Sequence, residues 1–161
     1  MLDSSIESVN SALKRARASL EQKLPAAGDQ QPAPAADSSS EDAIVAKFVE
    51  AYESADLNAL VALLTDDVFT SMPPMSFEYE GREAVARFFA SIFGSGRRFD
   101  LVRTRANGQP AVGAYVRAPT GTSHGVGIFV LTLTGDGICA MTRFENTVLP
   151  TFGLPRSLPS P

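Results

Sequence analysis

An α+β fold, with a curved antiparallel sheet wrapped around helices, is what this sequence predicts, and three observations carry the prediction. Apolar residues recur at helical spacing from residue 41 to 93, four extended runs follow between 99 and 146, and short polar turns bearing glycine separate those runs. Ile44, Val45, Phe48, Val49 and Tyr52 make the core face of one helix, which starts at Ser40 or Asp42. Leu57, Leu60, Val61 and Leu64 make that of a second, and the two meet near Asp56. Residues 68–72 read as a short strand stopped by Pro73 and Pro74. Residues 81–93 read as a helix that turns Val85, Phe88, Phe89 and Ile92 inward. Strands at 99–104, 111–117, 125–133 and 138–146 are then parted by Asn107-Gly108, by residues 119–121 and by Gly135-Asp136-Gly137, the last closing a hairpin.

Residues 41–147 are therefore expected to form the folded domain, and the flanking segments differ in kind. Residues 25–40 hold Pro, Ala, Gly, Ser and Gln but no large apolar side chain, so nothing offsets the entropy of ordering them and they read as a flexible, disordered linker. Over residues 1–24, Ile6, Val9, Leu13, Ala16, Leu20 and Leu24 recur at helical spacing, with a capping box from Ser4 to Glu7 and a stop at Pro25. That amphipathic helix has no partner of its own for its apolar stripe. Residues 148–161, rich in Pro, read as an irregular tail.

Composition bounds the function. The chain has 161 residues, 44% hydrophobic and 20% charged, with ten Phe: enough for one sizeable core and too apolar for a wholly disordered chain. Fourteen basic against 18 acidic residues give a formal charge of -4, so any nucleic-acid contact must come from a local basic segment. A single cysteine, Cys139, permits no internal disulfide, and with His124 as the one histidine it excludes a Cys/His zinc site; no metal or cofactor is expected. No apolar run approaches the roughly 20 residues of a membrane span, and the N-terminus lacks the basic-then-apolar order of a secretory signal. A cytoplasmic location without a membrane partner is expected.

Two stretches carry a resemblance. The order helix, helix, strand, helix and four strands, with LLTDDVFTSMPP and FEYEGREAVARFFASIF in place, resembles the SnoaL-like branch of the nuclear-transport-factor-two-like superfamily across about residues 41–147. The resemblance implies a cone whose mouth can hold a small apolar ligand, and a homodimer through the sheet. The segment SSIESVNSALKRARASLEQKLP is similar to the recognition helix and end of region four in extracytoplasmic-function sigma factors, the end of a helix-turn-helix that reads the promoter's −35 element. With NGQPAVGAYVR, ICAMTRFEN and FGLPRSLP downstream, nearly the whole chain resembles the C-terminal part of sigma factors that carry a SnoaL-like extension, the mycobacterial sigma-G type. The resemblance implies RNA polymerase core and promoter DNA as partners. Region two and the first half of region four are absent from the sequence, so the chain is not expected to be a complete sigma factor: it is a truncated gene product, an excised fragment, or a sequence whose Met1 is an internal methionine.

Candidate residues follow. In the basic helix, the resemblance implies that Ser8, Ser11, Lys14, Arg15 and Arg17 touch base edges and phosphates; the plain alternative is a solvated helix face, and Asp3, Glu7 and Glu21 dilute its field. In the cone, the ligand pocket is expected from Tyr52, Met72, Phe77, Phe88, Phe89, Arg143 and Glu145. Laid on the ketosteroid isomerase pattern, the place of the basic Asp just before the Pro holds Met72, which leaves no carboxylate there. The expected role is regulatory and non-enzymatic. Its rivals are an apolar-ligand carrier and an isomerase or cyclase sharing acid-base work among Tyr52, Asp66 or Asp67, and His124. Strand alternation puts Arg143 and Glu145 on one face with Cys139 and Met141, as a polar anchor inside the cone or as an ion pair at a dimer surface.

Overall fold

A computed structural model of the chain describes residues 31–160. The chain divides into two compact units, Met1–Gln31 and Pro32–Pro161, and the architecture here is that of the second. The amphipathic helix expected over 1–24, with Ser8, Ser11, Lys14, Arg15 and Arg17, lies outside the described residues.

Helix α1, Ser39–Glu53, begins earlier than its apolar spacing suggests because Ser38 caps it, its hydroxyl accepting from the Glu41 amide at 3.2 Å. Glu41 and Asp42 in the first turn complement the helix dipole. The helix buries Ile44, Val45, Phe48, Ala51 and Tyr52. Ala55, at φ 56°, turns the chain into α2, Leu57–Val61, whose cap Asp56 accepts from the Ala59 amide at 3.0 Å.

Strand β1, Leu64–Ser71, starts four residues before the expected 68–72 and takes in Leu64, assigned above to a helix. The reason is a pairing invisible in local sequence: β1 runs parallel to a strand far downstream, β6 (Gly137–Glu145), with Leu64 opposite Ile138 and Thr70 opposite Met141. Asp66 and Asp67 consequently lie in an irregular stretch of strand, not at a helix end. The short strand β2, Glu78–Glu80, pairs antiparallel with β1, and Gly81 leads into α3, Arg82–Phe93, which buries Val85 and Phe89.

Four strands complete the sheet: β3 Phe99–Ala106, β4 Gln109–Arg117, β5 Ser123–Thr134 and β6 Gly137–Glu145. The β3–β4 hairpin turns on Asn107 and Gly108, both at positive φ (52° and 77°), the two-residue geometry that matches strand twist. The order is β2-β1-β6-β5-β4-β3, so the sheet is mixed: the expected antiparallel meander is extended by a parallel β1. Its inner face sets Val68, Val112, Ala114, Phe129, Leu131 and Met141 against the helices in one core.

The outer face holds a second core of Ala106, Ala111, Tyr115, Ile128 and Val130, closed by Leu149 and Leu154. The segment expected to be an irregular tail does this closing. It forms a 3₁₀ helix, Asn146–Phe152, and a last strand β7, Ser157–Leu158, paired with β5. Glycines make room for it: a Cβ on Gly113 would stand 2.6 Å from Leu154 Cδ1, and one on Gly125 would stand 2.3 Å from Leu149 Cδ1. The Tyr115 hydroxyl donates to the Pro155 carbonyl at 2.7 Å and pins the segment from below. Among the described residues no helix is long and apolar enough to cross a membrane.

Candidate functional site

Tyr52 stands at the C-terminal end of α1 and is 3% exposed. Helical spacing from Phe48 directs it onto the inner sheet face, where Phe48, Phe89, Phe93, Phe99 and Phe129 surround its ring at centroid distances of 5.4 to 5.9 Å. Most of these contacts are tilted or edge-to-face, the arrangements that ring quadrupoles favour. The hydroxyl makes no hydrogen bond among the described residues. Burial pushes its pKa well above the ordinary tyrosine value, with the Arg143 guanidinium opposing the shift. Tyr52 is therefore a neutral hydrogen-bond donor across the physiological range.

A second hydroxyl shares that interior. Thr70 follows Val68 by two residues on β1, so it points to the same inner face, opposite Met141. It is fully buried, and its Oγ1 is the one buried side-chain oxygen or nitrogen without a partner among the described residues. Sequence reasoning missed it; the signal was its parity with Val68 inside a strand that local sequence started too late.

Arg143 supplies the charge. Its guanidinium donates to the Val126 carbonyl at 2.7 Å and has no carboxylate partner among the described residues. Gly127 gives it space, because a Cβ there would stand 3.3 Å from Arg143 Cζ and 2.5 Å from the Phe144 carbonyl oxygen. A register shift between Ala114 and Tyr115, opposite Gly127 and Gly125, lets Val126 join the inner core beside it.

The other expected pocket residues divide. Met72 is 5% exposed and Phe89 fully buried, both inside; Phe88 is half-buried and stacks on Tyr79 at 4.9 Å. Phe77 does not line the interior: it is 57% exposed, with Met75 at 41%, because the β1–β2 hairpin turns Met72 in and carries the loop beyond it into solvent. Glu145 is exposed and makes no ion pair with Arg143 among the described residues, so of the two it is Arg143, opposite Phe129, that faces the interior. Cys139 departs from the expected shared face, since the β5–β6 register shifts between Thr132 and Leu133 and sets it off the alternation. Its buried thiol donates to the Thr132 carbonyl at 3.4 Å, and burial raises its pKa, which disfavours a nucleophilic thiolate.

The acid-base set of the enzyme rival is not assembled. Asp66 is exposed and pairs with Arg82 at 2.9 Å, and Asp67 accepts from the Thr65 hydroxyl at 2.8 Å on the same exposed stretch. His124 is exposed at the β5–β7 edge, its Nδ1 3.1 Å from Ser157 Oγ. Three polar groups instead face an apolar interior: the hydroxyls of Tyr52 and Thr70 and the Arg143 guanidinium. Among the described residues none of the acids expected for acid-base work stands with them.

The comparisons with known proteins agree with this geometry. The SnoaL-like domain description matches residues 45–144. Over 164 aligned residues the chain is 35% identical to the ECF RNA polymerase sigma factor SigG of Mycobacterium tuberculosis, an alignment covering 98% of this chain and 42% of that protein. The chain thus spans less than half the length of the curated relatives it matches. Among solved structures it is similar to an NTF2-like protein from Mesorhizobium loti, at TM-score 0.58 and 20% identity over 71% of this chain and 98% of that one. It is similar as well to the Δ5-3-ketosteroid isomerase from Mycobacterium sp., at TM-score 0.53 and 18% identity over 68% of this chain and 95% of that one. Likeness at those identities speaks for the fold alone.

Proposed function

The chain belongs to the SnoaL-like domain family, and from that premise we propose that it is the C-terminal portion of an extracytoplasmic-function sigma factor whose SnoaL-like domain regulates transcription initiation and does not catalyse. The observation that carries the reading is the similarity to SigG across 98% of the chain, which takes in the basic N-terminal segment as well as the domain. The non-enzymatic half is supported by the isomerase resemblance, which sets Met72 at the place of the base, and by the exposure of the remaining acids, Asp66 and Asp67. On this reading Ser8, Ser11, Lys14, Arg15 and Arg17 contribute to contacts with −35 promoter DNA, with a strong salt dependence from the cations. RNA polymerase core is the partner through the parent protein, in the cytoplasm. The cone domain, tethered near both, acts by effective concentration and is biased by a small apolar ligand held by Tyr52 and Thr70.

Run-off transcription tests it. Core polymerase is supplied with a sigma factor carrying this sequence as its C-terminal part, or with the same protein ended at residue 24 of this numbering. The expected result is a change in transcript yield of about fivefold or more, the low end of ordinary coupling between sites, with −35 DNA still bound. Equal yields would overturn the regulatory reading. Turnover of a keto substrate by the chain, abolished in Tyr52→Phe, would replace it with the enzymatic one.

A further inference from the structure

The outer face of the sheet, opposite the cone, holds a cavity of about 280 Å³. Its apolar walls are Val130 and Phe144 from the sheet and Val148 and Phe152 from the 3₁₀ helix that roofs it. The roof is fastened on several sides. The Thr104 hydroxyl donates to the Phe152 carbonyl at 3.0 Å, the Asn146 side chain donates to the Gly125 carbonyl at 3.1 Å, and the Gly125 amide donates to the Arg156 carbonyl at 2.8 Å. Leu149, fully buried, anchors its middle. The cavity is therefore a fixed recess between two built layers.

Its polar chemistry is as specific as its shape. No lining residue carries a charge. Gln109 donates from its amide Nε2 to Thr132 Oγ1 at 2.9 Å and to the Leu131 carbonyl at 3.5 Å, so among the described residues its Oε1 is an uncommitted acceptor, and Asn107, Thr142 and Thr151 complete the neutral polar lining. A neutral wall excludes a charged ligand, which would lose its hydration without a counter-charge. A volume at the lower end of small-molecule sites limits the occupant to one or two rings.

From these observations we infer that the outer cavity is a second binding site, for a small neutral aromatic molecule bearing one hydrogen-bond donor. The rings pack against Val130, Phe144, Val148 and Phe152, and the donor meets Gln109 Oε1. The site is independent of the cone and of the sigma-factor reading.

Methyl-resolved NMR of the full chain titrated with indole tests this, with 1-methylindole and benzoate as comparison probes. Indole is expected to shift the Val130 and Val148 methyl resonances saturably and to leave Val68 and Leu131, on the inner face, unmoved. Removing the donor in 1-methylindole is expected to weaken binding about two- to tenfold, the worth of one neutral hydrogen bond. Benzoate is expected not to shift them. Ala106→Leu, which fills the cavity floor, should remove the indole response. Shifts at Val68 and Leu131 instead, no saturation up to the solubility limit of indole, equal binding of benzoate, or an unchanged response in folded Ala106→Leu each overturns the proposal. Should Ala106→Leu fail to fold, equal affinity of indole and 1-methylindole for the unaltered chain still overturns the donor assignment.

Discussion

Thr70 keeps a hydroxyl in an interior that offers it no partner, and an unpaired buried hydroxyl is a net loss to the folded state. Thr70→Val preserves shape and deletes the loss, so the empty domain should gain up to about 1 to 3 kcal/mol in chemical denaturation. A loss of stability would show that the hydroxyl is already satisfied. Tyr52→Phe should change stability by no more than about 0.5 kcal/mol at neutral pH, because its hydroxyl, unlike that of Thr70, is not among the fully buried polar atoms left without a partner. High pH is different. The unfolded tyrosine ionises near its ordinary value of about 10, while burial holds the folded phenol neutral beyond it, so stability falls as pH rises past that value. Denaturation midpoints across that window should fall less steeply in Tyr52→Phe, with a residual slope from Tyr115, whose pKa burial also raises. Tyr52 was legible in the sequence because helical spacing alone turns it inward. Phe77 was misread because an apolar residue in a loop reads as core until the hairpin direction is known, and Thr70 was missed because a small polar residue carries no pattern of its own.

Elements whose neighbours are close in sequence were legible; those fixed by distant pairing were not. The helices and the β3–β4 and β5–β6 hairpins follow from periodicity and turn residues, whereas the start of β1 depends on Ile138 and the path of residues 146–158 depends on recesses above Gly113 and Gly125. Those recesses give a direct test. Ala on Gly125 would bring a Cβ to 2.3 Å from Leu149 Cδ1 and 3.1 Å from the Arg156 carbonyl oxygen, so the C-terminal segment must lift. Gly125→Ala should destabilise by about 1 to 3 kcal/mol, the usual range for overpacking, and speed amide exchange at Leu154. If crowding is the cause, Leu149→Ala in the Gly125→Ala background should cost less than Leu149→Ala alone, a coupling that a double-mutant cycle measures. Strict additivity would show that the segment does not rest on that glycine.

At the scale of the whole chain, composition placed a linker at residues 25–40, yet residues 32–38 make contacts with the folded unit that composition does not encode. The Gly135 amide donates to the Pro32 carbonyl at 3.0 Å, and Arg105 reaches Glu41 at 2.5 Å and Asp37 at 3.2 Å. Arg105 lies 64 and 68 residues away from those partners in sequence, which is why the clasp was illegible. Its hold keeps the Glu41 carboxyl below the ordinary glutamate value, so the pair's contribution is present above that value and is lost as pH falls through the lowered one. The clasp should then protect the chain from about Pro32 onward. Elastase, which cuts after alanine, distinguishes the two ends of the stretch: Ala26 and Ala27 lie upstream of Pro32, while Ala35 and Ala36 lie inside the clasped part. At neutral pH and low salt the enzyme should cut after Ala26 and Ala27 and spare Ala35 and Ala36. In Arg105→Ala, or near 1 M salt, where the screening length falls to about 3 Å, cleavage after Ala35 and Ala36 should appear. Cleavage at Ala35 and Ala36 as fast as at Ala26 and Ala27 in the unaltered chain would mean that the clasp does not hold in solution and that the linker has the full length read from composition.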